Sequence, residues 1–252
     1  GLTGTDNVIS CGSYTGNGSS TGPVVTLGYE PQWLLLKRSS STSNWAMQDT
    51  MRGWTASTAT GDQTLYADLS NAEASQTSDY WSPTSTGFTT TGAMGSGTYI
   101  YVAIRRGPMA VPTDPTKVFA PIKAYNATGT TNTTNFPVDL QIAKNFADGG
   151  QNNVNDRLRG VSSVSSEANP SGPVLYTDAT SAEVSAYRTF QWDNTGYKTP
   201  AQYSNYDFIY WNFRRAPSFF DEVCYTGGGS GMGRVDHNLA CLLYTSPSPR
   251  DS

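Results

Sequence analysis

Over short stretches of the chain, apolar and polar residues alternate with a period of two, and glycine or Ser/Thr clusters interrupt the alternation every few residues. Successive side chains on a strand point to opposite faces, so these stretches predict strands. In YIYVAIRRGP (residues 99–108) Ile100, Val102 and Ile104 share one face, as do Ile209, Trp211 and Phe213 in FIYWNFRRAP (residues 208–217). Both aliphatic sets are expected to face a core. The opposite face, with Tyr99, Tyr101 and Arg105 or Phe208, Tyr210 and Arg214, is amphipathic and is expected to pack on a loop or a neighbouring module. The apolar run from Trp33 to Leu36, closed by Lys37 and Arg38, predicts a central strand, and further strands are expected at 24–27, 45–49, 87–91, 118–124 and 189–192. No window carries a sustained helical period with caps. Many short strands with frequent turns predict an all-β chain of sandwich or jelly-roll type.

The strand patterns recur. Residues 99–108 return at 208–217, 109 residues later, and LYADLSNAEA (65–74) returns as LYTDATSAEV (175–184), 110 residues later. Asp49, Arg52 and Gly53 match Asp156, Arg159 and Gly160 at an offset of 107. EPQWLLLKR (30–38) aligns more weakly with FPVDLQIAK (136–144) at 106, and Tyr14 pairs with Tyr125 at 111. Matches in one order at nearly constant spacing mark an internal repeat. The expected organisation is therefore a first β-sandwich module at 1–108, a Pro-rich linker at 109–116 and a second module at 117–217. The start of a third copy is expected at 218–240, where Tyr225 reopens the YTGxG pattern. Residues 241–251, CLLYTSPSPRD, resemble the translation of a sequencing adapter, so 241–252 is expected to be an artefactual tail.

Composition narrows the chemistry. Charged residues make up 14% of the 252 residues and the net charge is −4, with no polybasic run, so a nucleic-acid partner is not expected. No apolar stretch approaches a membrane span. Three cysteines make no disulfide framework. The single histidine, His237, lies in the third-copy segment, so a Ser–His–Asp or a His–Cys zinc site within either full repeat is excluded.

The acids shared by both repeats, Asp49/Asp156, Asp68/Asp178 and Glu73/Glu183, are the only material for paired-carboxylate glycoside chemistry. Their expected role is structural, with Asp49 and Arg52 forming a pair or an Asx turn beside Gly53. The segment 147–156 is rich in oxygen ligands but lacks EF-hand spacing, and reads as a solvated loop. No catalytic residue, metal or cofactor is expected. Four aromatics beside polar loops, Trp54, Tyr80, Trp81 and Trp192, are candidate glycan contacts, weighed against service as core plugs. Trp81 and Trp192 sit at roughly equivalent positions, 111 residues apart.

The segments SYTGNGSSTGPVVTLGYEPQWLLLKR, NWAMQDTMRG, LYADLSN and TYIYVAIRRGP together resemble a domain of unknown function that is repeated in tail-associated virion proteins of tailed, mainly marine bacteriophages. The resemblance spans most of residues 8–240 and is clearest in the first repeat. It implies β-sandwich modules in a structural or host-recognition part of a phage particle, without catalytic residues. Other virion proteins, a host-surface glycan and further copies of the chain are the partners expected on that reading. The chain would reside in the virion and be extracellular after release. The alternatives are a secreted bacterial carbohydrate-binding module and, behind it, a tailspike-like glycan hydrolase.

Overall fold

The computed structural model describes residues 8–19, 21–55, 62–76, 80–90, 94–107, 110–125, 129–147, 149–160, 171–188, 190–192, 194–199, 206–223 and 239. In the first half of the chain lie β1 (Ile9–Asn17), β2 (Val24–Thr26), β3 (Pro31–Arg38), β4 (Ala46–Asp49), β5 (Gln63–Tyr66), β6 (Ala74–Ser75), β7 (Trp81–Thr84), β8 (Gly87–Thr90) and β9 (Ser96–Arg105). In the second half lie β10 (Phe119–Ala124), β11 (Thr131–Thr133), β12 (Leu140–Asn145), β13 (Asn153–Asp156), β14 (Ser171–Tyr176), β15 (Val184–Arg188), β16 (Gln191–Trp192), β17 (Gly196–Lys198) and β18 (Phe208–Phe213). Between the halves, Asp114 caps a single 3-10 turn, Pro115–Lys117, within the expected linker. The described residues are otherwise strand, turn and loop, with no α-helix.

The first half forms a six-stranded sheet in the order β1-β9-β3-β4-β5-β6 and a three-stranded sheet in the order β2-β8-β7. The second half forms sheets in the orders β10-β18-β12-β13-β14-β15 and β11-β17-β16, the same arrangement strand for strand. All pairings are antiparallel and no sheet closes.

Register refines the expected correspondences. Ile104 faces Trp33 and Phe213 faces Leu140, so Trp33 answers to Leu140 and Lys37 to Lys144, an offset of 107 and not the expected 106. The lysines agree: Lys37 Nζ donates to the Ser43 carbonyl and Lys144 Nζ to the Gly150 carbonyl, each six residues on. Tyr14 faces Tyr99 while Ala124 faces Phe208, so Tyr14 corresponds to Ala124 and not to Tyr125. On the small sheets, Pro83 faces Phe88 and Trp192 faces Tyr197, which aligns Trp192 with Pro83 and Phe190 with Trp81. The expected pairing of the two tryptophans is thus displaced by two residues.

The expected core face of the long strand is reversed. Tyr99 and Ala103 are buried in β9, whereas Ile100 is 38% exposed and Val102 and Ile104 are half-exposed. In β18 the buried residues are Phe208, Tyr210 and Asn212, with Ile209, Trp211 and Phe213 half-exposed. The alternation was a sound guide to strand, but aliphatic content was a poor guide to which face turns inward. The gap to the three-stranded sheet is filled by rings: Phe88 meets Tyr14 and Tyr101 edge-on at 5.9 and 5.3 Å, and Tyr197 meets Tyr210 at 5.3 Å. Tyrosine suits this space because its ring packs while its hydroxyl reaches a carbonyl, as Tyr29 does at Ala103 O (3.2 Å). One buried cluster joins Leu34, Leu36, Ala103, Val25, Phe88 and Trp81, and a separate one joins Ala143, Phe208, Tyr210, Phe136, Phe190 and Tyr197.

Beyond β18, Ala216 bridges Phe220 and the Ser218 N–H donates to Leu239 O (2.7 Å). The rest of the expected third copy from residue 224, including His237, and the tail at 241–252 lie outside the described residues.

Candidate functional site

The shared acids all have the same employment in the two halves. In DTMRG, the Asp49 carboxylate accepts from the backbone N–H of Met51 (3.0 Å) and Arg52 (2.9 Å), and from Arg52 Nε (2.6 Å). Gly53 then takes a φ of +101°, which an L side chain resists, and the turn closes. Asp156 repeats this with the Arg159 N–H at 2.7 Å and the Arg159 guanidinium, and Gly160 has a φ of +79°. The second fork of each arginine reaches an acid from the next hairpin: Arg52 holds Glu73 at 3.0 Å and Arg159 holds Glu183 at 2.8 Å. Asp68 accepts the Trp45 N–H and Asp178 the Asn152 N–H, both at 3.0 Å. The expected Asp–Arg pair is therefore present, extended by a glutamate that spacing alone did not assign. Six acids in two sets of three carry turns and loops.

The four candidate aromatics separate. Trp54 has no exposed surface and donates its indole N–H to Trp81 O at 2.8 Å, so it is a core plug. Trp192 is half-buried under the Arg157 guanidinium, 5.5 Å from its ring centre, and leans on Tyr197. Trp81 is buried in the first-half core, and the half-exposed Tyr80 packs on it with rings 5.8 Å apart; both border a cleft of about 230 Å³ with Leu36, Asn44, Tyr66 and Gln76. Gln76 Nε2 donates to the Tyr66 hydroxyl at 3.4 Å. The loop carrying Asn44 is pinned by Lys37 at Ser43 O and by Asp68 at the Trp45 N–H. Among the described residues none that lines the cleft is charged. A partly exposed tyrosine ring beside amide and hydroxyl groups suits a ligand with one apolar face and a rim of hydroxyls.

A second cluster went unseen in the sequence. At the junction of the halves, Arg215 grips Glu30 with both guanidinium nitrogens at 2.7 and 2.8 Å, and Arg106 pairs with Asp139. Arg106 corresponds to Arg215, and Glu30 and Asp139 both precede the third strand of their sheet. Each half thus lends an arginine to the acid of the other, which is the reciprocity of a two-fold contact. Glu30, Asp139 and Arg215 are buried. Burial opposes ionisation of Asp139, but Arg106, Arg215 and Arg157 outweigh it and hold its carboxyl below the usual range. Burial, with the Asp156 charge behind it, pushes Glu222 well above its usual range. The only sequence signal for this junction is the Arg-Arg doublet kept at 105–106 and 214–215.

Among the described residues no three His, Cys, Asp or Glu side chains are placed to hold a metal ion, and no helix is long and apolar enough to cross a membrane. Within 147–156, Asp148 lies outside the described residues, and Asn153, Asn155 and Asp156 are buried in β13. No curated protein and no solved structure matches the chain. Residues 9–108, the stretch that carries all nine strands of the first half, match the family model of a domain of unknown function (DUF7483).

Proposed function

We propose that the chain is a non-catalytic array of two tandem β-sandwich modules, each a jelly-roll-like pairing of a six-stranded with a three-stranded sheet, serving as a structural or host-recognition part of a phage virion or tail appendage. The observation that carries this reading is the identical wiring of the six shared acids. A site that turns over substrate keeps an acid free to exchange protons; these are committed to arginines and backbone N–H groups in both halves. For a tailspike-like hydrolase they were the candidate pair, and their employment as turn and loop anchors speaks against that chemistry. The phage setting rests on the sequence resemblance. Other virion proteins and a host-surface glycan are its partners, and the particle, extracellular after release, is its location.

The test is immunogold electron microscopy of tailed particles from a lysate that carries the gene, using antibody raised against the chain. Label at the tail is the expected result, and unlabelled particles with the chain free in the supernatant would overturn it. Release of reducing ends from host polysaccharide by the purified chain would overturn the non-catalytic part.

The Tyr80–Trp81 cleft favours a second reading, a secreted carbohydrate-binding module. Either way the cleft would take a neutral sugar. On a glycan array, Tyr80→Ala is expected to remove at least tenfold of the binding to neutral glycans, while acidic glycans show none with either form.

A further inference from the structure

The outer face of each six-stranded sheet holds two neighbouring rows that are largely apolar where a solvated sheet is ordinarily polar, flanked by Lys37 in the first half and by Lys123 and Lys144 in the second. In the first half one row crosses five strands as Cys11, Val102, Leu35, Met47 and Leu65. In the second half the same row reads Pro121, Trp211, Ile142, Val154 and Leu175. The next row adds Ile9, Ile104 and Trp33, answered by Phe119, Phe213 and Leu140, and ends on the fourth strand in Asp49 and Asp156. All the apolar members are half-exposed or exposed, with Ile9 at 49% and Leu175 at 39%.

Between the halves the inner face has changed in polarity at several positions while the two outer rows have not. Buried Val25, Leu34 and Ala103 are replaced by Asn132, Gln141 and Asn212, and buried Thr64 by Val174, so the inner face has exchanged apolar and polar residues in both directions. The outer rows, which water would let become polar at no cost, stay apolar at every one of these positions but that of the aspartates. Contiguous exposed apolar surface of this kind marks an interface.

We infer that these two faces bind a second copy of the chain, the first-half sheet of one copy lying on the second-half sheet of the other, twice over. Size decides the pairing. At the centre of the row the first half has Val102 and the second half Trp211. Like on like would set valine against valine over a void and tryptophan against tryptophan in collision, whereas first on second fits large to small. Area decides the number of contacts. The eight apolar positions of each half, on strands about 4.8 Å apart and levels about 7 Å apart, make roughly 270 Å² of sheet. A single face-to-face contact buries about 540 Å² in total, no more than a crystal contact, while two reach about 1,100 Å², just past the roughly 1,000 Å² that a specific interface clears. A closed, antiparallel pair engages both faces of each copy; a head-to-tail chain would engage them too, but would sediment above twice the chain mass and so overturn the pair.

Sedimentation equilibrium on the full chain tests this. Twice the chain mass is expected at tens of micromolar, falling to the single-chain mass for Val102→Glu and for Trp211→Lys, each with strand content and urea midpoint checked. The double variant Val102→Glu/Trp211→Lys sets opposite charges face to face and is expected to restore the doubled mass. Thr15→Lys, on β1 outside the two rows, is expected to leave it unchanged. A readout that does not depend on these variants folding is Cys11. In the Cys224→Ser/Cys241→Ser chain, its alkylation rate is expected to fall severalfold as the chain is concentrated from nanomolar to tens of micromolar. A single-chain mass throughout, alkylation independent of concentration, or single variants that pair while folded would overturn the inference. So would a double variant that folds and stays single.

Discussion

The two halves carry one wiring diagram around two different interiors. In the first, Leu34 and Ala103 face each other across neighbouring strands inside the sheet; in the second, the same two places hold Gln141 and Asn212, joined by a 2.8 Å hydrogen bond. Asn212 also donates to Ala120 O at 2.9 Å. Val25 becomes Asn132, which donates to Thr199 at 3.1 Å, and Thr199 in turn meets the buried Tyr210 hydroxyl. Burial raises the Tyr210 phenol, and the Tyr197 phenol too, above the ordinary tyrosine range, so both stay protonated. One topology therefore tolerates an apolar or a polar interior at these places, where Gln141 and Asn132 find partners for their amide N–H groups, although Gln141 Oε1 and both amide atoms of buried Asn155 have none. A buried amide without a partner costs about 1–3 kcal/mol, while a satisfied one is nearly neutral.

The largest effect is expected where the halves meet. Replacing Arg215 by Met leaves Glu30 charged, buried and stripped of its bidentate partner, which costs about 3–5 kcal/mol. The corresponding Arg106→Met is expected to cost less, because the Arg106 side chain is 13% exposed and water replaces part of what is lost. Urea unfolding of the two variants gives the ranking; equal losses would mean that the junction is not asymmetric in the way its burial suggests. Acid should find the same place. Asp139 titrates below its unfolded value in the folded chain, so its stabilisation is present above the unfolded carboxylate range and is lost as pH falls through the folded value. The acid limb of the stability curve is expected to flatten in Asp139→Asn.

Next in size is an exchange of interiors. Leu34→Gln alone places an amide against Ala103 and is expected to cost about 2–4 kcal/mol, from lost burial and an unpaired polar group. Adding Ala103→Asn recreates the pair of the second half and is expected to recover at least about 1 kcal/mol. In the reverse direction, Gln141→Leu/Asn212→Ala is expected to be near neutral or stabilising, as replacing both members of a buried polar pair often is. Additive losses in the first cycle would show that the halves differ by more than these pairs.

The same exchange explains what could be read in advance. The long strands and the DxxRG turns were legible because they rest on local signals: period-two alternation and an acid placed to accept its own turn. The segment 125–144 aligned poorly with 14–37 because core positions there had changed from apolar to polar as pairs, and each pair lies about 70 residues apart in sequence. The reversed face has a related cause. Alternation fixes that two faces exist; which is buried depends on a second sheet whose contribution, Phe88 or Tyr197, comes from another strand. The Tyr80–Trp81 cleft was legible as two adjacent aromatics, but Trp54 and Trp192 looked the same from sequence, since depth in the fold has no local signature.

A smaller contrast lies in the paired turns. The side chain of Asp156 is 1% exposed and that of Asp49 18%, though both hold an arginine and the turn backbone. Charge-assisted hydrogen bonds gain strength as water is excluded. Asp156→Asn is accordingly expected to cost about 2 kcal/mol and Asp49→Asn about 1 kcal/mol, read as shifts in urea midpoint at unchanged slope.

The smallest contrast is the most direct check on the 107-residue register. Lys37 and Lys144 each close a six-residue loop through a carbonyl, at Ser43 and Gly150. The Lys37 bond is partly buried and its loop forms a wall of the cleft, whereas the Lys144 bond is exposed. Exposed charged contacts contribute from nothing to about 1 kcal/mol, so Lys144→Met is expected to leave stability within about 0.5 kcal/mol of the parent. Lys37→Met is expected to cost somewhat more and, by freeing Ser43 and Asn44, to weaken neutral-glycan binding at the cleft. If instead Lys144→Met were the more damaging of the two, the loops would not be counterparts. The alignment of the halves would then have to be drawn again from residue 140 onward.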